Sequence, residues 1–124
     1  MLQDSLYNIL QSDQDGYVIR FNASHPIFSG HFPERPIVPG ACIVQIAEEL
    51  AARTYNHPIR FIAIRDLKFR QPVTPDQDIT ISIQKTAESM CKVLCADSKN
   101  ERQLIISFNA QLMHEKFTIR VGEI

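Results

Sequence analysis

At 124 residues the chain is long enough for one hydrophobic core and too short for two. Thirteen basic and fourteen acidic residues leave a net charge of −1, which argues against a dedicated nucleic-acid or membrane-surface binder. No apolar run reaches the roughly 18 residues of a membrane span. The N-terminus lacks the basic-then-apolar layout of a signal peptide, so the expected location is cytoplasmic.

In chain order, Leu2, Leu6, Ile9 and Leu10 recur at helical spacing and predict a short N-terminal helical segment over residues 1–12. The turn residues Asp13-Gln14-Asp15-Gly16 lead into a strand over Tyr17–Asn22. A proline-rich loop runs to Gly40. From Ala41 to Tyr55, Ile43, Ile46, Ala47, Leu50 and Ala51 form the apolar face of a helix, stopped by Asn56-His57-Pro58. Four strands are predicted after it, over Ile59–Phe69, Ile79–Thr86, Met90–Ala96 and Gln103–Met113. Residues 114–124 extend the last strand or form a tail. One long helix against a mostly antiparallel sheet is a single α+β domain over residues 1–124. Its open strand edges favour dimerisation.

The three cysteines, Cys42, Cys91 and Cys95, show no disulfide framework. Cys91 and Cys95 would share one strand face as filler. With no second ligand pair nearby, no metal site is expected, and nothing resembles a phosphate loop or a dinucleotide fingerprint, so no cofactor is expected either.

The stretch GHFPERPIVPG, Gly30 to Gly40, holds a histidine in a loop stiffened by Pro33, Pro36 and Pro39, directly before the helix. Such rigidity suits a reactive group that must point at one place. HPIFSGHFPERPIVPG followed by a helix resembles the signature of the β-hydroxyacyl-acyl-carrier-protein dehydratases of fatty-acid synthesis. IRDLKFRQPVTPDQDI is similar to that family's K-F-R-x-P-V-x-P-G-D segment, and together the two cover most of residues 17–113.

The resemblance implies a hot-dog fold, a long helix wrapped by a curved antiparallel sheet. It also implies a homodimer or higher homo-oligomer with sites between subunits, acting on substrates linked to acyl carrier protein. Dehydrating a 3-hydroxyacyl thioester removes a proton from C2 and a hydroxyl from C3, while charge grows on the thioester carbonyl. His31 would be the base, since an imidazole accepts a proton near neutral pH. The backbone N–H of Gly40, at the helix start, would polarise the carbonyl. Phe32 and Val38 would contact substrate. His25, His57 and His114 lack such support and are read as structural.

The family's acidic partner stands five residues after the glycine of P-G, and here that position is Gln45. An amide has no proton to give, and loss of a general acid costs about 10²–10⁴ in rate. Three readings fit. Gln45 positions the substrate hydroxyl or a water while His31 moves both protons; or Glu49, or Glu48, supplies the acid; or the chain binds acyl carriers without converting them. Gln45, Glu48, Glu49 and Ala52 also lie opposite the apolar stripe, where a solvated helix face is the plainer reading. Arg60, Arg65, Lys68 and Arg70 form a cationic cluster suited to an acidic carrier or simply to water. The expected function is 3-hydroxyacyl thioester dehydration. The alternatives are a non-catalytic hot-dog subunit that binds carrier or pairs with an active relative, and a hot-dog thioesterase.

Overall fold

The computed structural model describes residues 1–14, 16–30 and 36–114. Among these residues there are six strands and one long helix: β1 (Tyr7–Asp13), β2 (Gly16–Phe21), the single turn α1 (Ile27–Gly30), α2 (Gly40–Tyr55), β3 (Ile59–Phe69), β4 (Asp78–Ala87), β5 (Met90–Asp97) and β6 (Asn100–His114). The strands join in one antiparallel sheet ordered β1-β2-β4-β5-β6-β3, which leaves β1 and β3 as its edges. This is the hot-dog arrangement, and the helix and all four later strands lie where the sequence patterns put them.

The start of the chain differs from expectation. Residues 7–13 form a strand instead of continuing a helix, paired with β2 from Tyr7 opposite Phe21 to Asp13 opposite Gly16. A free helix of this length is marginal in water, whereas a hairpin satisfies the same backbone groups on an existing sheet. The helical spacing of Leu6, Ile9 and Leu10 has another origin. A bulge between Ile9 and Gln11 breaks the two-residue period, leaving Leu6 and Tyr7 buried while Leu10 is 47% exposed. Asp13 closes the turn by accepting the Gly16 N–H at 3.1 Å. Gly16 has φ 148°, and a Cβ there would strike the Ile81 carbonyl, so only glycine fits.

Helix α2 buries the predicted stripe, Ile43, Ile46, Ala47, Leu50 and Ala51, against the concave face of the sheet. That face contributes Ile79, Ile81, Val93, Cys95, Ile106 and Phe108, all at 1% exposure or less. Truncating Leu50 to Ala at this centre would cost about 2–5 kcal/mol. Asn56 ends the helix in the left-handed conformation at φ 58°, its N–H and that of His57 closing on the Arg53 and Ala52 carbonyls. Cys91 and Cys95 fill the inner face of β5 as expected, and burial pushes the Cys91 thiol up to about 11. Among the described residues, no helix is long and apolar enough to cross a membrane.

Candidate active site at the start of the long helix

His31 and Phe32 lie outside the described residues, as does the tail expected after His114. What the structure places is the ground they flank. Pro39 begins α2 without a side-chain cap, and its carbonyl takes the Cys42 and Ile43 N–H groups at 3.0 and 3.3 Å. The N–H groups of Gly40 and Ala41 meet no acceptor among the described residues, and the first turn carries no acid. Among the described residues the helix therefore opens with donors that have no partner, at the positive end of its dipole.

Two neighbours hold this opening in place. The Val38 N–H donates to the Val73 carbonyl at 2.7 Å, tying the loop before α2 to the loop after β3. Val38 is only 1% exposed and belongs to the core. It anchors the loop, and a substrate contact by Val38, which the resemblance implied, would be made from within the core. The ring of Phe69, last residue of β3, packs directly on Gly40, where a Cβ would come within 2.6 Å of its Cε2.

Gln45 is exposed on the outer side of α2. The two glutamates that follow it are not a solvated face. Glu48 accepts the Phe61 N–H of β3 at 2.8 Å. Glu49 accepts the N–H groups of Leu2 and Gln3 at 2.8 and 3.2 Å and the Tyr7 hydroxyl at 3.1 Å. Each carboxylate satisfies backbone donors that no ladder reaches, fastening β3 and the N-terminal segment to the helix. A groove of about 340 Å³ remains beside them, with Met1, Arg53 and His57 in its wall.

The other histidines have side-chain partners, and two of them meet. The Nε2 of His57 lies 2.6 Å from Nδ1 of His114, and Nε2 of His114 is 3.0 Å from the Glu88 carbonyl. Tyr55 packs edge-on against the His114 ring at 5.4 Å. Nothing in the sequence foretold this pairing, since it depends on Ile59 registering with His114. His25 accepts the Ile27 N–H at 3.1 Å, fixing α1.

On β3, register decides where the cations go. Arg60, Arg65 and Lys68 pair with Met113, Asn109 and Ser107 of β6, which alternate with buried Leu112, Ala110 and Phe108. All three cations are thus exposed on the convex face, joined by Lys92 of β5, also opposite Asn109. Bulges between Phe61 and Ala63 and between Arg65 and Lys68 make this possible, because odd spacings of five and three would otherwise split the cations between faces. Asp66 occupies the second bulge at φ 55° and accepts from Asn109 Nδ2 at 3.0 Å. Arg70 is exposed just past the strand, its N–H bonded to the Ile105 carbonyl at 2.8 Å.

The amino-acid sequence of the chain matches a known family model over residues 10–109, described as ApeI-like, ApeI dehydratase. The chain belongs to the ApeI-like dehydratase family. Among curated relatives, this ApeI-like chain is 32% identical over 109 residues to the 3-hydroxyacyl-acyl-carrier-protein dehydratase FabZ of Sinorhizobium medicae, covering 78% of this chain and 70% of that one. It is 26% identical over 94 residues to the FabZ of Rhodospirillum rubrum and spans 59% of that relative's length. The dehydratase heterocomplex ApeI:P from Xenorhabdus doucetiae shares the fold at a TM-score of 0.66 and 20% identity, covering 84% of this chain and 92% of that one.

Proposed function

We propose that this chain dehydrates 3-hydroxyacyl thioesters carried on acyl carrier protein, giving trans-2-enoyl thioesters, as a homodimer. The observation that carries the reading is the uncapped start of α2 at Gly40, placed directly after the His31 loop. Donors there would hold the thioester carbonyl as charge develops on it while His31 takes the C2 proton. Gln45, exposed one turn into the helix, would orient the 3-hydroxyl, and His31 would return its proton to the leaving oxygen. Glu49 is a poor acid in this arrangement, because both of its oxygens already accept hydrogen bonds. The exposed edge strand β3, with Ile62 and Leu67 each about half in water, offers the surface for the second copy. The convex cations offer one for the acidic carrier.

A second reading is favoured by Gln45 itself. With no proton at that position and both nearby glutamates engaged by backbone, the chain would serve as the non-catalytic member of a pair with an acid-bearing relative. The likeness to a dehydratase that forms a heterocomplex supports it.

Initial dehydration rates of the purified chain on one carrier-linked 3-hydroxyacyl substrate decide between the two. The first reading expects a slow wild-type rate, abolished by His31→Ala and raised by Gln45→Glu. A wild type silent alone but raising the rate of an added active relative would establish the second. Turnover unaffected by His31→Ala would remove both versions of the site, and hydrolysis in place of dehydration would favour a thioesterase.

A further inference from the structure

We infer that His57 and His114 form a proton-controlled latch that holds the end of β6 on the end of α2 and lets go when both rings are charged. The pair lies at the far end of α2 from Gly40, so the latch stands apart from the dehydratase reading.

The protons on the pair can be placed one by one. Nε2 of His114 is 3.0 Å from the Glu88 carbonyl, which only accepts, so that nitrogen carries a hydrogen. In the neutral ring Nδ1 is then bare, and it faces Nε2 of His57 at 2.6 Å. His57 therefore donates through Nε2 and keeps its own lone pair on Nδ1. The geometry suits a proton and not a metal ion. The ring centroids are 4.8 Å apart, close to the nitrogen separation plus one ring radius on either side, so the two nitrogens point straight at each other. An ion at about 2.0–2.1 Å from each would need them about 4 Å apart on that line.

This one bond fastens three pieces of chain. His57 sits just past the C-cap of α2, with its N–H on the Ala52 carbonyl. His114 ends β6, registered opposite Ile59 at the start of β3. The Glu88 carbonyl belongs to the turn between β4 and β5, where the Ser89 carbonyl takes the Leu112 N–H at 2.8 Å.

A first added proton strengthens the latch, and a second breaks it. The first goes to Nδ1 of His57, leaves the bond intact and makes it charge-assisted. The carbonyl end of α2 favours a cation there, as do Glu48 and Glu49, which share a groove with His57. The second has only Nδ1 of His114 to go to. That atom is the acceptor of the bond, so the bond is lost and two cations face each other. Nearby cations work against this second charge. Lys85 stands 4.5 Å from the centre of the Tyr55 ring, which packs edge-on against both imidazoles, and Arg53 lines the groove beside His57. The Tyr55 phenol and the Cys91 thiol stay neutral in acid, since burial raises both. The unfolded chain takes both protons where the latched chain takes one. The latch therefore weakens as pH falls through the range in which imidazoles titrate, about pH 8 to 5.

The test measures amide protection of Leu112 in the full chain at about pH 8 and about pH 5, with imidazole nitrogen-15 shifts reporting the tautomers. Amides in the middle of β4 and β5 serve as the control for global unfolding. Wild-type protection at Leu112 is expected to fall about tenfold at the lower pH while the control amides hold. In His57→Gln the amide donates to His114 Nδ1 when that atom is bare and accepts from it once protonated, and it never carries charge. Protection in that variant is expected to stay high at both pH values, and in His57→Ala to be low at both. Equal wild-type protection at the two pH values would overturn the latch. So would the same fall in His57→Gln, which would assign it to other groups, or a hydrogen on Nδ1 of neutral His114. Displacement of the imidazole hydrogen by equimolar zinc would make the pair a metal site and overturn it as well.

Discussion

Tyr7 donates its phenolic hydrogen bond to Glu49 Oε1 at 3.1 Å, joining the first strand to the long helix across 42 positions of chain. The same carboxylate takes the N–H groups of Leu2 and Gln3. Glu49 thus acts as the clasp of the N-terminal segment. Glu49→Ala is expected to lower stability by about 1–3 kcal/mol, since the donors it leaves are part-buried. Glu49→Gln should leave the dehydration rate of the folded protein unchanged. Thermal unfolding and initial rates on the same samples check this. A rate loss in Glu49→Gln as deep as that of His31→Ala would make Glu49 the acid after all.

The clasp also sets an alkaline limit. Burial raises the Tyr7 phenol well above its ordinary 10.0, and the charge and hydrogen bond of Glu49 raise it further. The folded chain keeps a proton there that the unfolded chain releases above pH 10, so stability falls as pH rises beyond that point. The buried Cys91 and Cys95 thiols act in the same direction from lower pH. Denaturation midpoints should therefore drop between about pH 9 and about pH 11, and Tyr7→Phe should remove part of the drop. An identical slope in Tyr7→Phe would assign the whole effect to the thiols and to the Tyr55 phenol, which burial also raises.

Reversing Arg65 and Lys68 to Glu tests the convex cationic face. Association with a carrier-linked substrate is expected to slow by roughly tenfold at low salt, and added salt should weaken wild-type binding. The rate on a short pantetheine thioester should be unaffected. Equal loss on both substrates would indicate a folding defect and would leave the face without a carrier role.

The edge strand gives the last prediction. A charge placed among the apolar side chains of β3, as in Ile62→Glu, should halve the mass seen by light scattering and abolish turnover together. A wild-type monomer that turns over substrate would remove the dimer from the mechanism.

The local grammar of this chain was legible without a structure. The 3.6-residue period of Ile43 to Ala51 predicts α2, and Asn56 before Pro58 predicts its end, because both are properties of a single helix and its cap. Alternation in Ile79, Ile81 and Ile83 predicts β4 for the same reason. The proline-stiffened loop before the helix is where the sequence suggests a site, and counting from Gly40 singles out Gln45 as a candidate within it. Long-range pairing was not legible. Tyr7 to Asp13 form a strand because β2 was there to receive their backbone, which no local spacing reports. Glu48 and Glu49 read as a wet surface until the Phe61, Leu2 and Gln3 amides came to rest on them. Two bulges, invisible in composition, carried Arg60, Arg65 and Lys68 to one face. The ring of Phe69 reached Gly40 from 29 residues away only because β3 ends beside the start of α2. Sequence determined which segments are helix and strand through neighbours a few bonds apart. Tertiary structure decided which side chains meet, because register and unsatisfied backbone donors are settled between segments and never within one.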